Sequence, residues 1–182
     1  VDERLPGIRP RLNVWRRLDM IARTSFATAS TALLLLIAAA PMGLPGQAQV
    51  LIAAALGCVF FWSVFRPAAM PPPLVFLLGV LVDLLGYAPL GVDVGILLLV
   101  HGVALRWRRF LVRQGFLVVW VGFIVVAVVA AVLQWALTSA LLLRLLPPVE
   151  MVFQAALAAG LYPALAVLLS RAHQTLADPE AP

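Results

Sequence analysis

The chain contains no lysine, a single cysteine and few charges of either sign. Only 12% of its 182 residues are charged, and 64% are hydrophobic. Soluble domains carry about 25% charged and 45–50% apolar residues. So little charge excludes an ordinary water-soluble domain and points to an integral membrane protein. The lone Cys58 lies inside an apolar run, which excludes an intrachain disulfide and leaves the redox compartment open. No HExxH, no cysteine cluster and no phosphate-cradling glycine loop occurs, so the sequence offers no basis for hydrolytic metal chemistry. No stretch outside the apolar runs is long enough to fold as a catalytic head. Neither an enzymatic role nor a cofactor nor a metal is expected.

The charge that is present is one-sided. The net charge is +5, every basic residue is an arginine, and nearly all lie at the edges of apolar runs. Such placement describes topology determinants better than a nucleic-acid surface. An arginine-rich start followed by an apolar run ending IAAAPMG superficially resembles a signal peptide. Pro41 follows the small residues awkwardly and the upstream region is long, so a retained helix is expected.

Apolar runs and their breakers predict an all-α membrane protein of about six spans. They cover roughly 24–42, 48–65, 74–87, 90–105, 114–143 and 149–170, the last kinked near Pro163. The third and fourth are short and read as a hairpin about the Gly86–Gly91 turn. The fifth is too long for a perpendicular span and should tilt or emerge. With the N-terminus inside and six crossings, every arginine except Arg144 faces the cytoplasm, including Arg66, Arg106, Arg108, Arg109 and Arg171. The predicted organisation is a cytoplasmic basic amphipathic segment over 1–23, a single six-helix domain over 24–170 and a short cytoplasmic tail over 171–182.

Within VWRRLDMIAR, Val14, Trp15, Leu18 and Ile21 share one helical face, while Arg16, Arg17, Asp19 and Arg23 take the other. That pattern fits an interfacial helix, acting as a positive-inside anchor or a docking surface for a cytoplasmic partner. The tripled proline at 71–73 reads as an extended spacer leading into the third helix, with a docking strip as the alternative.

The polar residues inside the apolar runs are the candidate functional ones. An aspartate at the centre of a membrane helix costs about 2.5–3.5 kcal/mol, so Asp83 needs compensation. Gly79, Asp83 and Gly86 share a helical face, which implies close approach of another helix. Gly91, Gly95 and Gly102 predict a second glycine seam on the fourth helix. Thr24, Thr28 and Thr31, and the Gln134/Thr138 pair, are candidate partners for a buried carboxylate. The expected role of Asp83 is to bond neighbouring helices or the freed backbone of the turn, with Asp93 capping the fourth helix and His101 a packed, hydrogen-bonded ring. A proton-relay or transport site built from Asp83, Asp93 and His101 is the alternative.

The run from Arg66-Pro67 through the prolines to FLLGVLVDLLGYAPLG resembles the signature of the rod shape-determining protein MreD family. The matching positions are Arg66, Pro67, Gly79, Asp83, Gly86, Pro89, Leu90 and Gly91. The tripled proline and the all-arginine basic residues depart from the family pattern. The resemblance implies a non-enzymatic, multi-pass protein of the bacterial inner membrane. Its implied partners are the bitopic periplasmic protein MreC, the actin-like filament MreB, and the peptidoglycan polymerase–transpeptidase pair RodA and PBP2. At fold level that family is similar to the S components of energy-coupling-factor transporters, which makes a small-molecule carrier the alternative function.

Overall fold

The structure, a computed structural model, describes residues 14–40, 46–86 and 88–177, with side chains described over 27–40, 46–86 and 88–171. The side chains of Trp15, Arg16, Arg17 and Arg23, singled out above for docking, lie outside that description, as does Tyr87. The described residues form six α-helices: α1 Val14–Ala39, α2 Gln47–Phe65, α3 Pro72–Leu85, α4 Val92–Leu111, α5 Phe116–Leu141 and α6 Val149–Ala177. A short 3-10 turn, Pro67–Ala69, links α2 to α3. Three of these helices are long and apolar enough to cross a membrane: Gln47–Phe65, Phe116–Leu141 and Val149–Arg171.

α2 is the hub. Its sequence is apolar on every side, the signature of a helix enclosed by others, and residues from Leu51 to Val64 are all buried. It packs against α1, α4 and α6, while α3 pairs with α4 and α5 with α6. Phe60 of α2, Phe123 of α5 and Tyr162 of α6 meet in the core. The Phe123 and Tyr162 rings stack with centroids 4.2 Å apart, and Phe60 stands tilted or edge-on to both. The outward faces are also apolar: Leu33, Ile37, Phe76, Leu77, Leu117, Val121, Val125 and Leu168 are each about half exposed or more. Apolar surface on that scale is untenable in water and ordinary in lipid.

Four expectations change. The interfacial segment and the first span are not separate, because α1 runs unbroken from Val14 to Ala39 with no glycine or proline between to end it. The three prolines do not form a polyproline strip. Only Pro71 is extended (φ −67°, ψ 155°), while Pro72 and Pro73 occupy the first helical turn, where no N–H is needed. Arg106, Arg108 and Arg109 belong to the helix rather than following it; Arg108 and Arg109 sit in its last turn, which favours cations. The helix α6 likewise continues past residue 170 to Ala177 and carries Pro163 in its interior.

At 14 residues α3 spans about 21 Å, and at 26 residues α5 spans about 39 Å, at 1.5 Å per residue. The α5 end is closed by Leu143 in the left-handed region (φ 50°), where the Arg144 N–H reaches back to the Ser139 carbonyl. Glycine is the usual occupant of that position. Leu143 is 94% exposed, so its side chain contributes nothing to packing. Leu143→Gly is therefore expected to raise stability by about 1 kcal/mol, the left-handed penalty of a side chain. Thermal unfolding in detergent measures it, and an unchanged or lower midpoint would show that no strain is held there.

Candidate functional site at the polar end of the bundle

The helices alternate in direction, so the turn between α3 and α4, the C-terminus of α5 and the N-termini of α2 and α6 gather at one end. Here Asp83, 5% exposed, turns its carboxylate onto the freed backbone of the turn. The Gly91 N–H donates to Oδ2 at 2.7 Å and the Asp93 N–H donates to Oδ1 at 3.0 Å. The N-cap position of α4 is Gly91, whose φ of 95° suits only glycine and whose missing side chain cannot cap. Asp83 supplies that cap from the preceding helix. Hydrogen bonds to a charged group are worth about 1.5–3 kcal/mol each, so the pair matches or exceeds the insertion cost of the aspartate.

The hairpin is held close by Gly79. A Cβ there would lie 2.6 Å from Cα of Val94, a backbone contact that no side-chain rotation relieves. Gly86 is tight as well, since a Cβ would lie 2.9 Å from the Val82 carbonyl oxygen. Among the described residues, nothing packs against the second seam. Gly95 and Gly102 face open space, with nothing within 4 Å of a built Cβ.

Asp93 does not cap α4 with its side chain. Its Oδ1 accepts from Gln134 Nε2 at 2.6 Å, and Gln134 Oε1 in turn accepts from Gln154 Nε2 at 2.6 Å. A relay of two amides thus runs from α6 through α5 to α4 and fixes the orientation of both glutamines. Gln134 was a candidate partner for the carboxylate at 83 and serves the one at 93 instead. Two of the stripe's threonines bond elsewhere, Thr31 donating to the Ala27 carbonyl at 2.7 Å and Thr28 to that of Ala69 at 3.3 Å, while the Thr24 side chain lies outside the described residues.

Beside the relay lies a cavity of about 210 Å³. Its polar wall comprises Gln49, Asp93, Gln134, Thr138, Glu150 and Gln154, and Trp135 and Met151 line it as well. Of the three residues proposed for a transport site, only Asp93 lines it. Asp83 is turned to the backbone, and His101 sits in the core two helical turns below Asp93. The Ser63 hydroxyl donates to the Val59 carbonyl at 2.5 Å, so His101 Nδ1–H donates to that hydroxyl at 2.7 Å. His101 Nε2 is left as a buried bare acceptor. Sequence reading missed Gln154, Glu150 and Trp135; the available signal was a glutamine inside the apolar start of α6, at the same end as Asp93.

At the opposite end, Arg108 Nε donates to the Val64 carbonyl at 2.9 Å, fastening the end of α4 to that of α2. Arg66 is the C-cap of α2, with its N–H bonded to the Trp62 carbonyl, and Pro67 opens the 3-10 turn. Pro89 holds the far hairpin, its carbonyl accepting from the Val92 N–H at 3.2 Å. The motif residues therefore divide between the two ends of α3.

These features define a class: an all-helical protein with helices suited to a membrane and a polar, acceptor-rich end. Comparison with known proteins takes the assignment no further, since no family model, curated protein or solved structure matches the chain.

Proposed function

We propose that this chain is a non-enzymatic scaffold of the bacterial inner membrane, with all six helices crossing and both termini cytoplasmic. It would serve the cell-elongation machinery by binding an MreC-like bitopic protein directly, within a complex that includes an MreB-like filament, RodA and PBP2. The motif over 66–91 suggests the family. The observation that carries the scaffold reading is the outward glycine face of α4. Gly95 and Gly102 lie open beside Leu99 and Leu105, which are 41% and 38% exposed. Small residues that meet nothing among the described residues suit the close approach of a partner's transmembrane helix.

The experiment is co-purification in mild detergent with a bitopic periplasmic shape protein. Gly95→Leu with Gly102→Leu should reduce capture at least tenfold without lowering the unfolding midpoint of the isolated chain, because both side chains enter open space and leucine favours the helix over glycine. Undiminished capture, or a wild-type chain that purifies alone, defeats this reading. The alternative, a carrier similar to an S component, draws on the cavity at the polar end. Its support is weaker, because Asp83 and His101 lie off the cavity wall.

A further inference from the structure

The cavity does not stand alone. A second depression of about 340 Å³ lies between α5 and α6, lined by Ile124, Val128, Val132, Val152, Ala156 and their neighbours, all apolar. The two share Ala131 and Met151 as wall residues. The groove extends from Met151 to Ala159, about 12 Å along α6 at 1.5 Å per residue. A polar chamber thus adjoins an apolar groove on the outer face of the bundle, the juxtaposition that an amphiphile's headgroup and chain require.

The chamber walls specify the headgroup. The relay commits one N–H of each glutamine to an acceptor of the protein, and leaves the other N–H of each, the second oxygen of Asp93 and Oε1 of Gln154 without a partner among the described residues. Glu150, in the first turn of α6, makes no hydrogen bond or ion pair there either. Among the described residues, no lysine, arginine or histidine lines the chamber. With two carboxylates and no basic side chain, the wall favours a cation, and its free oxygens favour one that bears N–H donors. The rim differs in sign. Ala48 and Gln49 belong to the first turn of α2, which carries no acidic side chain and whose unpaired backbone N–H groups receive phosphate. The chamber has room for roughly seven waters at ~30 Å³ each.

We propose that the chamber and groove together bind one zwitterionic phospholipid bearing a primary ammonium. The ammonium sits against Asp93, Gln154 and Glu150, the phosphate at the rim, and one acyl chain along α5 and α6. The site requires membrane embedding and does not depend on the scaffold reading.

The test offers the purified full chain vesicles of equimolar dioleoyl phosphatidylethanolamine and dioleoyl phosphatidylcholine, then counts retained lipid by native mass spectrometry. The two lipids share their chains and differ in N–H donors. Wild type should retain the ethanolamine lipid at least fivefold over the choline lipid, at one copy per chain. Glu150→Gln with Gln154→Leu should bring the ratio to parity. Ala156→Phe, which fills the groove from an exposed position, should lower retention of the single copy with the unfolding midpoint unchanged. Equal retention of both lipids by wild type overturns the proposal. So does wild-type retention by Ala156→Phe, including the case in which that variant loses a dimer and keeps its lipid, since the groove would then hold a second copy. Stabilisation by free ethanolamine equal to that by the lipid also overturns it, because the ligand would then be a soluble amine.

Discussion

Asp83→Ala is expected to lower the unfolding free energy by about 3 kcal/mol, with Asp83→Asn falling roughly halfway. The alanine variant removes both acceptors and leaves the N–H groups of Gly91 and Asp93 without a partner at the start of α4. Each hydrogen bond to a charged group is worth about 1.5–3 kcal/mol, and an unmet buried donor costs about 1–3 kcal/mol. Removing a carboxylate from an apolar helix recovers about 2.5–3.5 kcal/mol of insertion cost, which keeps the net loss below the sum of the two bonds. The asparagine variant keeps one carbonyl oxygen for one of the two donors and turns an NH₂ toward the other. Unfolding of the three proteins in the same detergent measures the series. An alanine variant as stable as the asparagine one would show that the second hydrogen bond contributes nothing. Because the bonds join the last turn of α3 to the first turn of α4, α4 should fray from its N-terminus before the bundle opens. Amide exchange at Val94 and Gly95 should then rise ahead of that at Val100.

The hairpin was the most readable part of the chain because everything that builds it is local. Asp83, Gly86, Pro89 and Gly91 lie within nine residues, and helical spacing alone sets Gly79 and Asp83 on one face. The three long apolar helices were equally readable from their composition. What the sequence did not disclose depends on which neighbour a face meets. Gly91, Gly95 and Gly102 recur with the spacing of a packing seam, but periodicity identifies a face and not its occupant. The relay is harder still: Asp93, Gln134 and Gln154 come from three helices and are separated by 41 and 20 positions. Gln134 was visible as a polar residue needing a partner, and two carboxylates at similar depth competed for it. The turn backbone took Asp83 and thereby left Asp93 for the amide. The continuity of α1 was obscured by a change of composition near Thr24, which supplies no residue that ends a helix.

The contrast between the two glycine rows yields substitutions of opposite sign. Gly95→Ala is expected to stabilise by about 0.5–1 kcal/mol, since alanine gains that much over glycine in a helix interior and the new methyl meets nothing within 4 Å. Gly79→Ala gains the same propensity and should nevertheless lose about 2 kcal/mol net. Its methyl would lie 2.6 Å from Val94 Cα and 3.1 and 3.2 Å from Val94 Cγ2 and Cβ. Overpacking of a close contact costs about 1–3 kcal/mol where side chains can yield, and more where they cannot. Here the nearest atom is backbone, so α3 and α4 must separate, and separation lengthens the two bonds from Asp83. Addition of Val94→Ala tests that account. It removes Cγ2 but leaves Cα in place, so the double variant should recover little of the loss. Full recovery would mean that the side chain of Val94, rather than the approach of the two backbones, is what Gly79 accommodates.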